Sequence, residues 1–341
     1  MEIFPTPDNP APPDPIVSVV RTVDEVHLRV VRWVPEGEPL GTVAIFQGRA
    51  EFIEKYFEVA GELLARGFVV VAMDWRGQGL SDRDLKDSRK GHVDDFGFYE
   101  RDLDALQQQV LQFLCPPPVF AIGHSMGAAI LLAQAHAGRS PFARLVLSAP
   151  MIDIYGLRLP RLVRAMAEGL DMVGLGTSFV PRGSRLSVLE RGFEGNVLTS
   201  DPARFARLAG ILKAAPQLGL GDPTVGWLNS AFRVMDEFAD AEYPRRTLTP
   251  ILVLGAGADR VVSNRAVERF GTRLKVGRLI MIADARHEIL MERDSIRAQF
   301  WAAFDAFIPG EHLSVAALEA AAEAKRALRS NRRWFWRRQA A

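Results

Sequence analysis

Cysteine is almost absent from this chain: Cys115 is the only one in 341 residues. A single thiol excludes an intramolecular disulfide framework and a cysteine-based metal site. Lying just before Pro116-Pro117-Pro118, it suits a half-buried thiol at the end of a helix. An excess of one charge is missing too. Lys and Arg total 42 against 41 Asp and Glu, a net charge of +1, so nothing chain-wide neutralises phosphates and nucleic acid is not expected as a partner. No run reaches the roughly 18 unbroken apolar residues that a membrane-spanning helix needs. Residues 1–15 hold six prolines and no apolar core of the kind a signal peptide carries, which gives a proline-rich arm and the expectation of a cytoplasmic protein.

What is present is a 48% hydrophobic composition with apolar β-type runs spaced by helical patterns. Strands are predicted near 17–21, 26–33, 42–46, 68–73, 119–122, 143–147, 251–254 and 278–282. Helices fit at 53–66, 96–114, 126–137, 264–274 and 295–307. The first two strands have only a short link and read as an antiparallel hairpin. The rest alternate with helices, which implies an α/β fold with an eight-stranded, mostly parallel sheet and helices on both faces. Residues 16–150 and 246–309 form that core. Between them, 151–245 lack a convincing strand and are too long for a structureless loop, so they read as an inserted helical cap. Because the insertion follows the sixth strand, at the carboxyl edge where open α/β sheets bind ligands, it is expected to act as a lid.

The richest local pattern is Gly123-His124-Ser125-Met126-Gly127, between an apolar β-type run and the helix former Ala128-Ala129-Ile130-Leu131-Leu132. Gly-x-Ser-x-Gly between a strand and a helix is a nucleophile elbow: the turn is so tight that its flanks must be small, and the serine projects at a helix N-terminus. A serine hydroxyl needs a base, itself oriented by a carboxylate. Of the six histidines, His287 alone follows the last predicted strand and shares the carboxyl edge with Ser125. Its carboxylate is expected from the loop after the preceding strand, where Asp259 stands, with Asp284 as a weaker rival. His124 adjoins the serine, but neighbouring side chains on a sharp elbow diverge, so packing beneath the turn is its expected role. The order Ser125, Asp259, His287 is that of the α/β-hydrolases. Two N–H groups should receive an oxyanion: that of Met126, and that of Arg49 in the loop Gln47-Gly48-Arg49-Ala50-Glu51-Phe52.

Several segments together carry a family resemblance: Gly48-Arg49 with Glu51 and Lys55-Tyr56; Asp74-Trp75-Arg76-Gly77-Gln78-Gly79 with Ser81; Gly91-His92-Val93 with Phe96, Tyr99 and Asp102; and the elbow. The chain resembles the lysophospholipase L2 and monoacylglycerol lipase branch of the α/β-hydrolases, densely over 42–150 and again at Asp259 and His287. The resemblance implies a serine esterase, without organic cofactor or metal, that acts on lysophospholipids or related single-chain glycerolipids through Ser125, Asp259 and His287. Monoacylglycerol lipases usually carry His-Gly in the oxyanion loop and a second His after the Glu. Gln47 and Phe52 stand there instead, which moves the chain toward the lysophospholipase side. The alternative keeps the triad in an esterase, acyltransferase or peptidase for small soluble substrates.

Three features read as structural. Arg76-Gly77-Gln78-Gly79 has neither phosphate-loop spacing and is expected to be a turn. Glu51 and Asp102 are expected to be helix-start or ion-pair carboxylates. The tail, 310–341, contains the stretch 325–338 with seven cations, no acid and Trp334-Phe335-Trp336, a composition that suits peripheral contact with an anionic membrane.

Overall fold

The computed structural model describes residues 2–157 and 159–308. The basic aromatic stretch and its predicted membrane contact lie outside them.

Eight strands form one sheet: β1 (Ile16–Arg21), β2 (His27–Trp33), β3 (Thr42–Phe46), β4 (Val69–Met73), β5 (Val119–His124), β6 (Leu145–Ser148), β7 (Ile251–Ala256) and β8 (Gly277–Ile282). Their spatial order is β1-β2-β4-β3-β5-β6-β7-β8. β1 and β2 pair antiparallel, β2 joins β4 antiparallel, and every later pairing is parallel. The central strands β3, β4, β6 and β7 are buried along their whole length, as continuous Val/Ile/Leu-rich runs require when both faces are covered. At the edge, β8 alternates between more and less exposed residues, because only one of its faces meets the core.

The helices are α1 (Phe57–Ala65), α2 (Gly97–Leu106), α3 (Gln112–Leu114), α4 (Met126–His136), α5 (Pro160–Leu170), α6 (Pro202–Ala214), α7 (Val225–Phe238), α8 (Tyr243–Arg246), α9 (Asn264–Gly271) and α10 (Asp294–Phe307). Two sequence expectations change in detail. The helix expected at 53–66 begins as a 3-10 turn, Ile53–Tyr56, before α1; the one expected at 96–114 is α2 joined to α3 by a π turn at Gln107–Leu111. The segment between β6 and β7 carries α5 to α8 and no strand among its described residues. Cys115 is buried and follows α3.

Charge buried inside the β2 side of the sheet was not anticipated. Arg29 of β2 is fully buried between Glu54 and Asp74, at 2.7 Å from each. Asp74 also accepts from the Ile53 and Leu80 N–H groups, so one carboxylate ties the β4 exit to the β3 loop. The proline-rich arm adds to this knot: Phe4 N–H and the Asn9 side chain donate to Glu54, and Arg29 donates to the Glu2 carbonyl. Removing one member would strand a desolvated charge, so such a cluster persists only as a set.

Candidate active site

Register decides where the chemistry gathers. β3 and β5 pair with Phe46 opposite Gly123, so the Gln47-Gly48-Arg49 loop leaves the sheet beside the elbow. The contact is close: a Cβ on Gly127 would collide with Phe46 O and stand 2.6 Å from Gln47 O. A Cβ on Gly123 would meet the Ala128 Cα at 2.9 Å. Both elbow glycines are therefore demanded by packing. Ser125 takes the strain, with φ 49° and ψ −111°, a conformation that costs a non-glycine residue on the order of 1–3 kcal/mol. Its N–H donates to Ser148 O at 3.1 Å, and its carbonyl accepts from Ala129 and Met151.

The loop after β8 brings His287 to the serine. His287 Nε2 lies 3.0 Å from Ser125 Oγ, and Nδ1 lies 2.8 Å from Asp259 Oδ2. Asp259 Oδ1 accepts from the Val261 and Val262 N–H groups at 2.7 and 3.0 Å, which fixes the carboxylate plane. Burial works to raise the Asp259 pKa, but the His287 ring and these amides outweigh it and hold it below the ordinary value. A charged carboxylate on Nδ1 keeps the proton there, leaving Nε2 as the acceptor facing Ser125. Asp284 is exposed, away from this chain of hydrogen bonds.

The amides of the β3 loop are not equivalent. Gly48 N–H donates to Glu51 Oε2 at 2.6 Å, and Ala50 N–H donates to Gln78 Oε1 at 3.2 Å. Among the described residues the N–H groups of Arg49 and Met126 meet no protein acceptor, so both remain available to a ligand oxygen.

Beneath the site lies a second buried charge cluster that the sequence reading largely passed over. Lys55 sits 2.6 Å from both Glu51 and Glu288, and Tyr56 donates its hydroxyl to Glu51 at 2.7 Å. Burial would raise the Glu51 pKa, but Lys55 prevails and holds it down to about 2. Glu51 is thus an ion-pair carboxylate, as expected, and it also braces the loop after β3 through Gly48. Glu288 gave no pattern in sequence beyond adjoining His287. His124 packs under the turn: its ring centroid is 4.8 Å from that of His287, its Nδ1 is 3.2 Å from Ser148 O, and burial lowers its pKa to about 4. It is therefore neutral at pH 7 and adds no charge beside His287.

Of the other histidines, His27 faces Asp82, His92 faces Thr224, and His136 stacks on Tyr243. Arg76 pairs with Asp24 and Asp102, so that turn is held by ions rather than open to phosphate. No group of three or more His, Cys, Asp or Glu among the described residues could hold a metal ion.

The segment between β6 and β7 is tied to the loops around His287 and Phe96. Glu288 N–H donates to Leu198 O, Arg286 donates to the Asn196 and Thr199 carbonyls, and Phe96 N–H donates to Ser230 Oγ of α7. Ser125, Asp259 and His287 are only 8%, 5% and 4% exposed. A cavity of about 380 Å³ lies elsewhere, between the start of α5 and α9.

A mostly parallel sheet with a strained serine at the β5-to-α4 turn, hydrogen-bonded to a histidine that is itself hydrogen-bonded to an aspartate, both from later loops, defines an α/β-hydrolase. The chain belongs to the family described as "Serine aminopeptidase, S33", which it matches over residues 37–294. It is 34% identical over 296 residues to lysophospholipase L2 of Escherichia coli strain K12, covering 81% of this chain and 82% of that protein. Human monoglyceride lipase is 29% identical over 238 residues, covering 68% and 70%. The fold is shared with a soluble variant of Saccharomyces cerevisiae monoglyceride lipase solved with a substrate analog, at TM-score 0.68 and 18% identity over 87% of this chain and 96% of that one.

Proposed function

We propose that the chain is a serine carboxylic-ester hydrolase whose substrates are lysophospholipids and related single-chain glycerolipids. The observation that carries the reading is the hydrogen-bonded series Ser125, His287, Asp259 set on a strained elbow. His287 Nε2 takes the proton as Ser125 Oγ attacks the ester carbonyl, and the tetrahedral oxyanion accepts from the Arg49 and Met126 amides. Collapse passes the His287 proton to the leaving glycerol oxygen and leaves an acyl-enzyme. Water then attacks with His287 again as base, and the fatty acid departs. Asp259 keeps the imidazole in the tautomer each step needs.

The lipid assignment is supported by the family's lysophospholipase and monoglyceride lipase members and by the lid-like position of 151–245. Its α5 exposes Leu162 and Met166, and the turn after it exposes Met172 and Val173, an apolar edge suited to a lipid surface. Contact of 325–338 with an anionic leaflet belongs to the same reading. Vesicle sedimentation with and without residues 325–341 tests it, and equal pelleting of the two would exclude it.

The family description favours one other reading, an aminopeptidase. Such an enzyme must pair a substrate ammonium with an acidic group, yet Glu51 and Glu288 both face Lys55, and Arg49 puts a cation on the loop. Charge therefore favours the ester.

The test is fatty-acid release from lysophosphatidylcholine, lysophosphatidylethanolamine, monoolein and a short nitrophenyl ester by the protein and by Ser125→Ala. Release from the lipids, lost in a folded Ser125→Ala variant, is the expected result. Release from the short ester alone, or full activity in the variant, would refute it.

A further inference from the structure

Most deeply placed arginines of this molecule meet acids. Arg29 lies between Glu54 and Asp74, Arg76 between Asp24 and Asp102, and Arg297 beside Glu58 and Glu62. Arg83 has no carboxylate partner among the described residues, but it donates to the carbonyls of Gly77, Gly79 and Gln217. Arg49 has much less. Both its terminal nitrogens converge on one carbonyl, Gly221 O, each at 3.1 Å. Its Nε is buried without an acceptor among the described residues, and its guanidinium carbon is 5.2 Å from the centroid of the Trp227 ring. No carboxylate lies within ion-pair distance of it among the described residues; the nearby Asp222 is turned to Arg191 and the Ser184 N–H. Desolvation lowers its pKa to about 10, with Tyr99 and Asp222 opposing weakly, so it is a cation at neutral pH whose charge is poorly compensated.

Position gives that charge a use. Arg49 directly follows Gly48 on the loop beside the elbow, and its own N–H is free to face the reacting carbonyl. In a 1-acyl glycerophospholipid, three carbons separate the ester oxygen from the phosphodiester. An arginine side chain has a comparable reach from its own amide, and its planar fork of donors matches a phosphate. Trp227 lies beside the guanidinium, and Nε keeps a donor that no protein acceptor among the described residues meets.

We propose that the Arg49 guanidinium binds the headgroup phosphodiester of a single-chain glycerophospholipid whose ester lies at Ser125, and so favours a phosphorylated headgroup over uncharged glycerol. The inference rests on the lipid-ester reading above, and its test is separable from that reading.

Hydrolysis of nitrophenyl butyrate serves as the reporter in the wild type, Arg49→Gln and Arg49→Lys, each normalised to its own uninhibited rate. Three inhibitors are compared below their micellar concentrations: an ether-linked lysophosphatidylcholine that cannot be hydrolysed, the alkylglycerol ether of the same chain, and chain-free glycerophosphocholine. Loss of a charge-assisted contact to phosphate should raise the ether lysolipid Ki at least about tenfold in Arg49→Gln. Arg49→Lys should recover part of this, and the alkylglycerol Ki should move less than about twofold. Parallel shifts for both lipids, no shift, or no inhibition of the wild type by the ether lysolipid would overturn the proposal. Equal inhibition by glycerophosphocholine would overturn its assignment to a lipid headgroup. If the wild type releases no fatty acid from lysophosphatidylcholine while this Ki pattern holds, the reaction assignment fails and the phosphate site stands.

Discussion

Replacing Asp259 by Asn probes the chain of hydrogen bonds with almost no change of shape. Asp259 Oδ1 accepts from Val261 and Val262 N–H, and Oδ2 accepts from His287 Nδ1–H. An asparagine must keep its carbonyl oxygen on the two amides, because turning its NH2 toward them would set donor against donor. Its NH2 then points at His287 Nδ1 and forces that nitrogen to accept. The ring proton moves to Nε2, and Nε2–H faces Ser125 Oγ, 3.0 Å away. In that tautomer the imidazole cannot take the serine proton. A tautomer fault of this kind costs about ten-thousand-fold in kcat, or about 5 kcal/mol of barrier. Folding should change by no more than about 1 kcal/mol, since both backbone hydrogen bonds survive. The assay is kcat on nitrophenyl butyrate beside urea unfolding, with Asp284→Asn as the comparison. Activity within tenfold of wild type in Asp259→Asn, or an equal loss in Asp284→Asn, would refute the assignment of the acid.

The remaining expectations concern packing and pH. Gly127→Ala drives a methyl into the Phe46 and Gln47 carbonyls, and it should destabilise by about 1–3 kcal/mol and lower activity; Gly169→Ala, on α5 with nothing within 4 Å, should be neutral or stabilising by up to about 1 kcal/mol. Thermal denaturation of the two variants is the check. His124 is held neutral, with its pKa lowered from 6.5 to about 4. The unfolded chain therefore binds the proton first, so the contribution is complete above pH 6.5 and is lost as pH falls through 4, amounting to about 3 kcal/mol. Urea unfolding at pH 7 and pH 4 should show this loss, and His124→Gln should reduce it; an unchanged slope would count against a buried neutral ring.

Ordinary sequence patterns located the elbow at Ser125 because it is a local object. A strand, a turn that only small residues can make and a helix occupy one short stretch, and the chemistry is written in its composition. The histidine and acid were legible through loop order, since a parallel sheet puts successive strand exits on one edge. Distant partners are another matter. Nothing in Leu28-Arg29-Val30 says that Arg29 will be buried between Glu54 and Asp74, and nothing near Glu288 announces Lys55. Charges survive burial only when partners far along the chain meet them, so those clusters exist only once the fold has formed.

Alone, then, the sequence determined the alternation of strands and helices, the turn that carries Ser125 and the order in which His287 and Asp259 reach it, because each follows from short-range pattern and parallel topology. Tertiary structure decided which of the β3-loop amides stay free, how the segment between β6 and β7 is tied to the loop of His287, and that Arg49 faces the Gly221 carbonyl and Trp227 instead of an acid. The difference is physical: backbone preference is settled over a few residues, whereas desolvation and charge compensation are settled only by everything packed around a group.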